Sequence, residues 1–185
     1  MIYEIKYLSA QRRYRHNSSL ERFAEDEYIN GQALGAVSRM RYGLCRMSFN
    51  GCGSIAVYNA LLYLGQRQRL CDIAVRLERY RMLFGVFGCN PKRLGRVLMQ
   101  YGIDYEQPEN PDEAQAFIIS FWTGRRFMSS IHTVFGVRKN NDIRIYNRYN
   151  NSPEVYHYKS LEALTKGRKP VAFFAVEKQS ARDNT

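Results

Sequence analysis

Apolar positions along the chain follow two different rhythms, and the change between them divides it in two. From Ile55 to Tyr63 the pattern Ile55, Ala56, Asn59, Leu62, Tyr63 recurs near the helical period, and Gly65 ends it. Ile73, Ala74, Leu77 and Tyr80 share one face of a second predicted helix over Cys71 to Met82. Phe84-Gly85-Val86-Phe87-Gly88 then permits a turn or a close chain approach. A third helix is announced by Asn90 as cap and Pro91 in the first turn, continues through Leu94, Val97, Leu98 and Tyr101, and stops at Gly102. Asn110-Pro111 with Asp112 and Glu113 resembles a further helix start, although Ala116-Phe117-Ile118-Ile119 suits a strand equally well.

Downstream the rhythm shortens to two. Ile131 to Val137 reads as a strand, Lys139-Asn140-Asn141-Asp142 as a turn, and Ile143 to Tyr146 as the returning strand. Val171 to Val176 fits the same sheet, and Ser160 caps a short helix with Leu161 and Leu164 inward and Gly167 after it. Residues 1–9 alternate and predict an edge strand; the stretch from there to about residue 48 is polar and irregular apart from a short predicted helix, Ser19 to Glu25. Helices followed by antiparallel strands predict an α+β class. At 185 residues the expectation is a single domain, 1–185, in which 1–45 form an N-terminal strand and a partly irregular segment and 46–178 the core.

Composition narrows the function classes. The chain is 45% hydrophobic, which favours folding over disorder, and no apolar run approaches the ~18 residues of a membrane span. Its start lacks the pattern of a secretory signal, which makes the cytoplasm the default expectation. Twenty-eight Lys and Arg against seventeen Asp and Glu leave a net charge of +11, which attracts acidic partners. Arg12-Arg13-Tyr14-Arg15 and Arg67-Gln68-Arg69 are short basic patches with no zinc finger or helix-turn-helix beside them, so specific nucleic-acid binding is not expected. Cys45, Cys52, Cys71 and Cys89 lack the paired spacing of a structural zinc site.

The chemistry is concentrated at Asn50-Gly51-Cys52-Gly53. A cysteine at a helix start is exposed to unpaired N–H groups and the positive end of the helix dipole, both of which favour a thiolate nucleophile; a small buried thiol is the competing reading. A nucleophilic thiol needs a base, and the base needs an orienting group. Of His16, His132 and His157, only His132 lies at the start of a strand, and Asn147 follows fifteen residues later at the end of the next. If the turn folds these strands together, Cys52 attacks a carbonyl, His132 moves the proton, and Asn147 orients the ring. A hydrogen-bonded sheet histidine and a turn-forming asparagine are the alternatives.

Asn50-Gly51-Cys52-Gly53, the helix ending Leu61-Leu62-Tyr63-Leu64-Gly65, Ile131 to Val137 and Ile145-Tyr146-Asn147 together resemble the papain-like cysteine peptidases, most closely the compact C39-like group. The resemblance covers roughly residues 46–150, and the order Cys, His, Asn is its most specific part. It implies a helical lobe carrying the nucleophile against an antiparallel sheet, and peptide or amide hydrolysis through a Cys52 thioester with no metal or organic cofactor. The implied partner is a peptide or protein substrate, with acidic ones favoured by the charge. Gly88-Cys89-Asn90-Pro91 matches the family's turn before its second helix more weakly, which gives Cys89 a packing role. In two places the chain departs from the family. Arg46 stands six residues before Cys52, where the family commonly has an oxyanion-binding Gln, leaving Asn50 or Arg46 as substitutes; and Asn147 is followed by Arg148 instead of proline. Loss of an oxyanion donor costs about 2.7–4 kcal/mol of transition-state stabilisation. An acyltransferase or transpeptidase using the same thioester, and an inactive basic interaction module, are the competing functions.

Overall fold

The computed structural model describes residues 2–21, 27–124, 130–140 and 142–177. Its first element is a helix, α1 (Ile2–Leu20), where the alternation of residues 1–9 predicts an edge strand. The alternation is short, and the Ala, Gln and Arg residues that follow it are strong helix formers. Distant contacts then fasten the helix. Asn17 Nδ2 donates to the Arg41 carbonyl at 2.8 Å while its Oδ1 accepts from the Arg41 N–H at 2.7 Å, and the Arg13 guanidinium forks onto the buried Glu78 carboxylate. Of the helix expected over Ser19 to Glu25, Ser19 and Leu20 complete α1, and residues 22–25 lie outside the described residues.

A small hairpin, β1 (Arg41–Tyr42) with β2 (Cys45–Arg46), leads through α2 (Met47–Asn50) into α3 (Cys52–Tyr63). The helical period predicts one buried face on α3, but every residue from Gly53 to Leu61 is buried. It runs through the core between the other helices and the sheet. Asn59, which shares the stripe of apolar positions, is fully buried: its Oδ1 accepts from the Ile29 N–H at 2.9 Å and its Nδ2 donates to the Ile29 carbonyl at 3.0 Å. The chain from Glu27 onward is thereby stitched to α3 in the manner of a sheet pair. Next, α4 (Leu70–Glu78) is capped from afar by the Glu21 carboxylate, which accepts from the N–H groups of Leu70 and Cys71. It ends earlier than the periodicity of Cys71 to Met82 predicts, because Arg81 forms a bridge with Cys89. Asn90 Oδ1 accepts from Lys92 N–H at 3.0 Å and opens a short turn into α5 (Leu94–Gln100), which Gly102 terminates at φ +71°.

The second half forms one six-stranded antiparallel sheet. Its strands are β3 (Tyr105–Glu106), β4 (Ala116–Thr123), β5 (Ser130–Lys139), β6 (Asp142–Tyr146), β7 (Tyr156–Tyr158) and β8 (Ala172–Val176), in the order β3-β8-β4-β5-β6-β7. At Asn110-Pro111 only a single turn, Pro111–Glu113, is helical before β4 begins. The β-branched and aromatic run from Phe117 to Phe121 prevails there, because β5 and β8 pair with it on both sides. Ile118, Phe135 and Phe174 face α3 and its neighbours, whereas Phe117, Ile119 and Ile145 pack with Leu161 and Leu164 of α6 (Leu161–Thr165) on the other face. The result is helices packed against an antiparallel sheet, the α+β class that the rhythm predicts. Among the described residues no helix is long and apolar enough to cross a membrane.

Candidate active site

Two glycines flank Cys52 because neither position has room for a side chain. A Cβ on Gly51 would lie 2.7 Å from the Met47 carbonyl oxygen, and one on Gly53 would lie 2.4 Å from Cys89 Sγ. The first permits α2 to run almost directly into α3; the second lets the segment carrying Cys89 pack on the helix start. Gly53→Ala is therefore expected to lower stability by about 1–3 kcal/mol through overpacking. In urea unfolding, Gly53→Ala combined with Cys89→Ala should recover part of that loss, and an undiminished midpoint for Gly53→Ala alone would refute the steric account.

Cys52 occupies the first position of α3, half-buried, at the wall of a cavity of about 920 Å³ that His132 also lines. Burial acts to push its thiol up. A hydrogen bond and the charge of His132, with smaller contributions from the backbone and side chain of Thr133, outweigh that and hold it below the ordinary cysteine value. The other cysteines of the neighbourhood behave oppositely. Burial, reinforced by the adjacent Cys52, pushes the Cys89 thiol well above the usual range, and burial together with Glu21 pushes Cys71 up to about 12.

The imidazole is fixed from its far side. His132 Nε2 lies 2.7 Å from the main-chain carbonyl oxygen of Asn147. A carbonyl only accepts, so Nε2 carries the proton and Nδ1 is the nitrogen left for the thiol. Pairing of β5 with β6 brings Asn147 back towards His132, as the spacing predicts, but the group that meets the ring is the backbone and not the side-chain amide. That amide is occupied by Gln32: its Oδ1 accepts from the Gln32 N–H at 3.0 Å and its Nδ2 donates to Gln32 Oε1 at 3.2 Å. Asn147 sits in the left-handed region at φ +57°, which asparagine tolerates better than most residues. Asn147→Ala is expected to keep the carbonyl in the chain yet lose the clamp and strain the backbone, at a cost of about 2–4 kcal/mol, read from a thermal or urea melt.

The two residues expected to substitute for the family's Gln stand differently from that expectation. Asn50 lines the cavity, but its Nδ2 donates to the carbonyls of Tyr42 and Gly85 and has no proton left for an oxyanion; its buried Oδ1 has no partner. Arg46 is exposed on β2 and does not line the cavity. His16 lies against the Arg39 carbonyl and His157 against Asp142, both apart from Cys52. Three contributors went unassigned at the sequence level: Thr133, Gln32 and Arg148. Thr133 adjoins His132 in sequence, but nothing local in the chain marks Gln32, whose role depends on a partner 115 residues away.

Among the described residues no group of three or more His, Cys, Asp or Glu side chains is placed to hold a metal ion. Comparison with protein-family models, curated proteins and solved structures finds no match to the chain. What the fold defines is an α+β protein in which a thiol at a helix start and an imidazole held by a main-chain carbonyl line one cavity.

Proposed function

We propose that the protein is a cysteine peptidase or amidase of the papain-like kind. The observation that carries this reading is the Cys52 thiol held below its ordinary value by His132, with the far nitrogen of that ring bonded to Asn147. In the proposed reaction the Cys52 thiol passes its proton to His132 Nδ1, its sulfur attacks an amide carbonyl carbon, and His132 gives that proton to the leaving amine as the C–N bond breaks. Water, deprotonated by His132, then splits the thioester and restores the thiol. The N–H groups in the first turn of α3 have no acceptor within the helix, so the N–H of Cys52 itself is the oxyanion donor, in place of the Gln, Asn50 or Arg46 side chain.

A defined peptide mixture incubated with the reduced protein, with new termini read by mass spectrometry, tests the reading. New termini are expected with the wild-type chain and none with Cys52→Ala. Cleavage that survives Cys52→Ala, or no cleavage by the wild type, counts against it. Added amines distinguish transfer from hydrolysis by the mass of the acyl product.

A further inference from the structure

Arg148 is a buried charge that the chemistry proposed for Cys52 and His132 leaves without a role. Only 8% exposed, it lines the same cavity as Cys52 and His132. Its Nε donates to the Tyr158 hydroxyl at 3.0 Å, and its guanidinium carbon lies 5.2 Å from the Phe121 ring centre and 4.6 Å from that of Tyr149. Among the described residues no carboxylate pairs with it. Burying an unpaired cation is costly, and aromatic faces offset only part of that cost. The terminal nitrogens of such a guanidinium form the planar fork that matches a carboxylate.

The surroundings agree with an anionic ligand. Lys166 and Arg168 line the cavity too, and among the described residues none that lines it is Asp or Glu. Phe49, Phe87 and Trp122, all exposed large apolar side chains, line it as well. Phe121 links the anchor to the chemistry: its ring packs edge-on against His132, 6.5 Å between centres, and also lies under Arg148.

We propose that Arg148 anchors a substrate carboxylate in the Cys52 cavity, with the aromatic lining residues receiving an adjoining apolar group. This substrate class rests on the peptidase reading, and its test needs no turnover. Trp122, the chain's single tryptophan, lines the cavity and reports binding by its fluorescence. Two matched pairs of probes distinguish the sources of the carboxylate. N-acetyl-phenylalanine against its amide represents a peptide C-terminus, and N-acetyl-glutamate α-amide against N-acetyl-glutamine α-amide represents an acidic side chain. The acid of at least one pair is expected to bind about tenfold or more tightly than its neutral partner, and the favoured pair names the source. Arg148→Gln should bring that ratio close to one. Arg148→Lys keeps the charge without the fork and serves if the first variant does not fold; it should keep only a small part of the preference. Equal affinity within both pairs, absence of binding, or a preference unchanged in a folded Arg148 variant overturns the proposal. Failure of the peptide-cleavage experiment with the carboxylate preference intact would instead overturn the peptidase reading alone.

Discussion

His132→Ala should abolish the selective alkylation of Cys52 near neutral pH. In the wild-type chain the interactions that lower this thiol come from His132 first and Thr133 second, against the upward push of burial. With the imidazole gone, burial dominates, and the inflection of the iodoacetamide rate moves from below the ordinary cysteine value of ~8.5 to above it. A higher pKa leaves a smaller thiolate fraction at about pH 6.5, so labelling there slows, partly offset by the greater intrinsic nucleophilicity of the more basic thiolate. The sign is definite: a group whose folded pKa is depressed is more ionised than the free thiol below the free value. The wild-type rate should therefore plateau at lower pH than that of a model thiol. Cys71 and Cys89, both shifted the other way, should remain unlabelled there. Peptide mapping of the labelled protein across pH checks all three statements, and an unchanged Cys52 profile in His132→Ala would remove the basis of the proposed chemistry. For hydrolysis the expected loss is greater still, roughly 10⁴-fold or more for Cys52→Ala or His132→Ala, with little additional loss in the double variant because the two act as a unit.

Asn59→Ala should be the most destabilising polar substitution at α3. Both ends of its amide satisfy the backbone of Ile29 inside the core, where water cannot replace them. Removing the side chain leaves a buried N–H and a buried carbonyl without partners and opens a small void. The expected cost is about 2–4 kcal/mol. For a chain of this size that corresponds to a fall in Tm of roughly 4–16 °C. Asn59→Leu, which fills the space, should remain destabilised by a similar amount, since the orphaned peptide groups are unchanged. The effect should reach the site as well: Gln32, three residues after Ile29, holds the Asn147 amide, and the Asn147 carbonyl holds His132. Calorimetry gives the first quantity and the Cys52 labelling rate the second; a Tm within a degree of wild type for Asn59→Leu would show that the peptide groups find other partners.

Particular residues show how far local pattern reaches. Val134 and Phe135 alternate because opposite faces of β5 meet two different sets of neighbours, and Ile118 and Ile119 on β4 do the same. The caps at Asn90 and Ser160 are equally legible, each being satisfied by an N–H two or three residues away. Residues 1–9 mislead because so short an alternation cannot register that Arg13 will meet Glu78 and Asn17 will meet Arg41. Asn59 misleads in the opposite way, counted with an apolar stripe although its polarity is what the core uses.

At the site, Cys52, His132 and Asn147 were recognisable by residue type, order and spacing, and the basic charge by counting. The sequence by itself determined the α-then-β rhythm, the thiol at a helix start, and a histidine on the strand that precedes Asn147. Only the tertiary structure decided that the Asn147 backbone, rather than its amide, meets the ring, that Asn50 has spent its donors on Tyr42 and Gly85, that Arg46 lies away from the cavity, and that Arg148 lies within it. The reason is physical. Periodicity, caps and glycine turns are short-range consequences of backbone sterics, carried by neighbouring residues. Which polar atom of a buried side chain finds which partner depends on groups brought together from 8 to 115 positions apart.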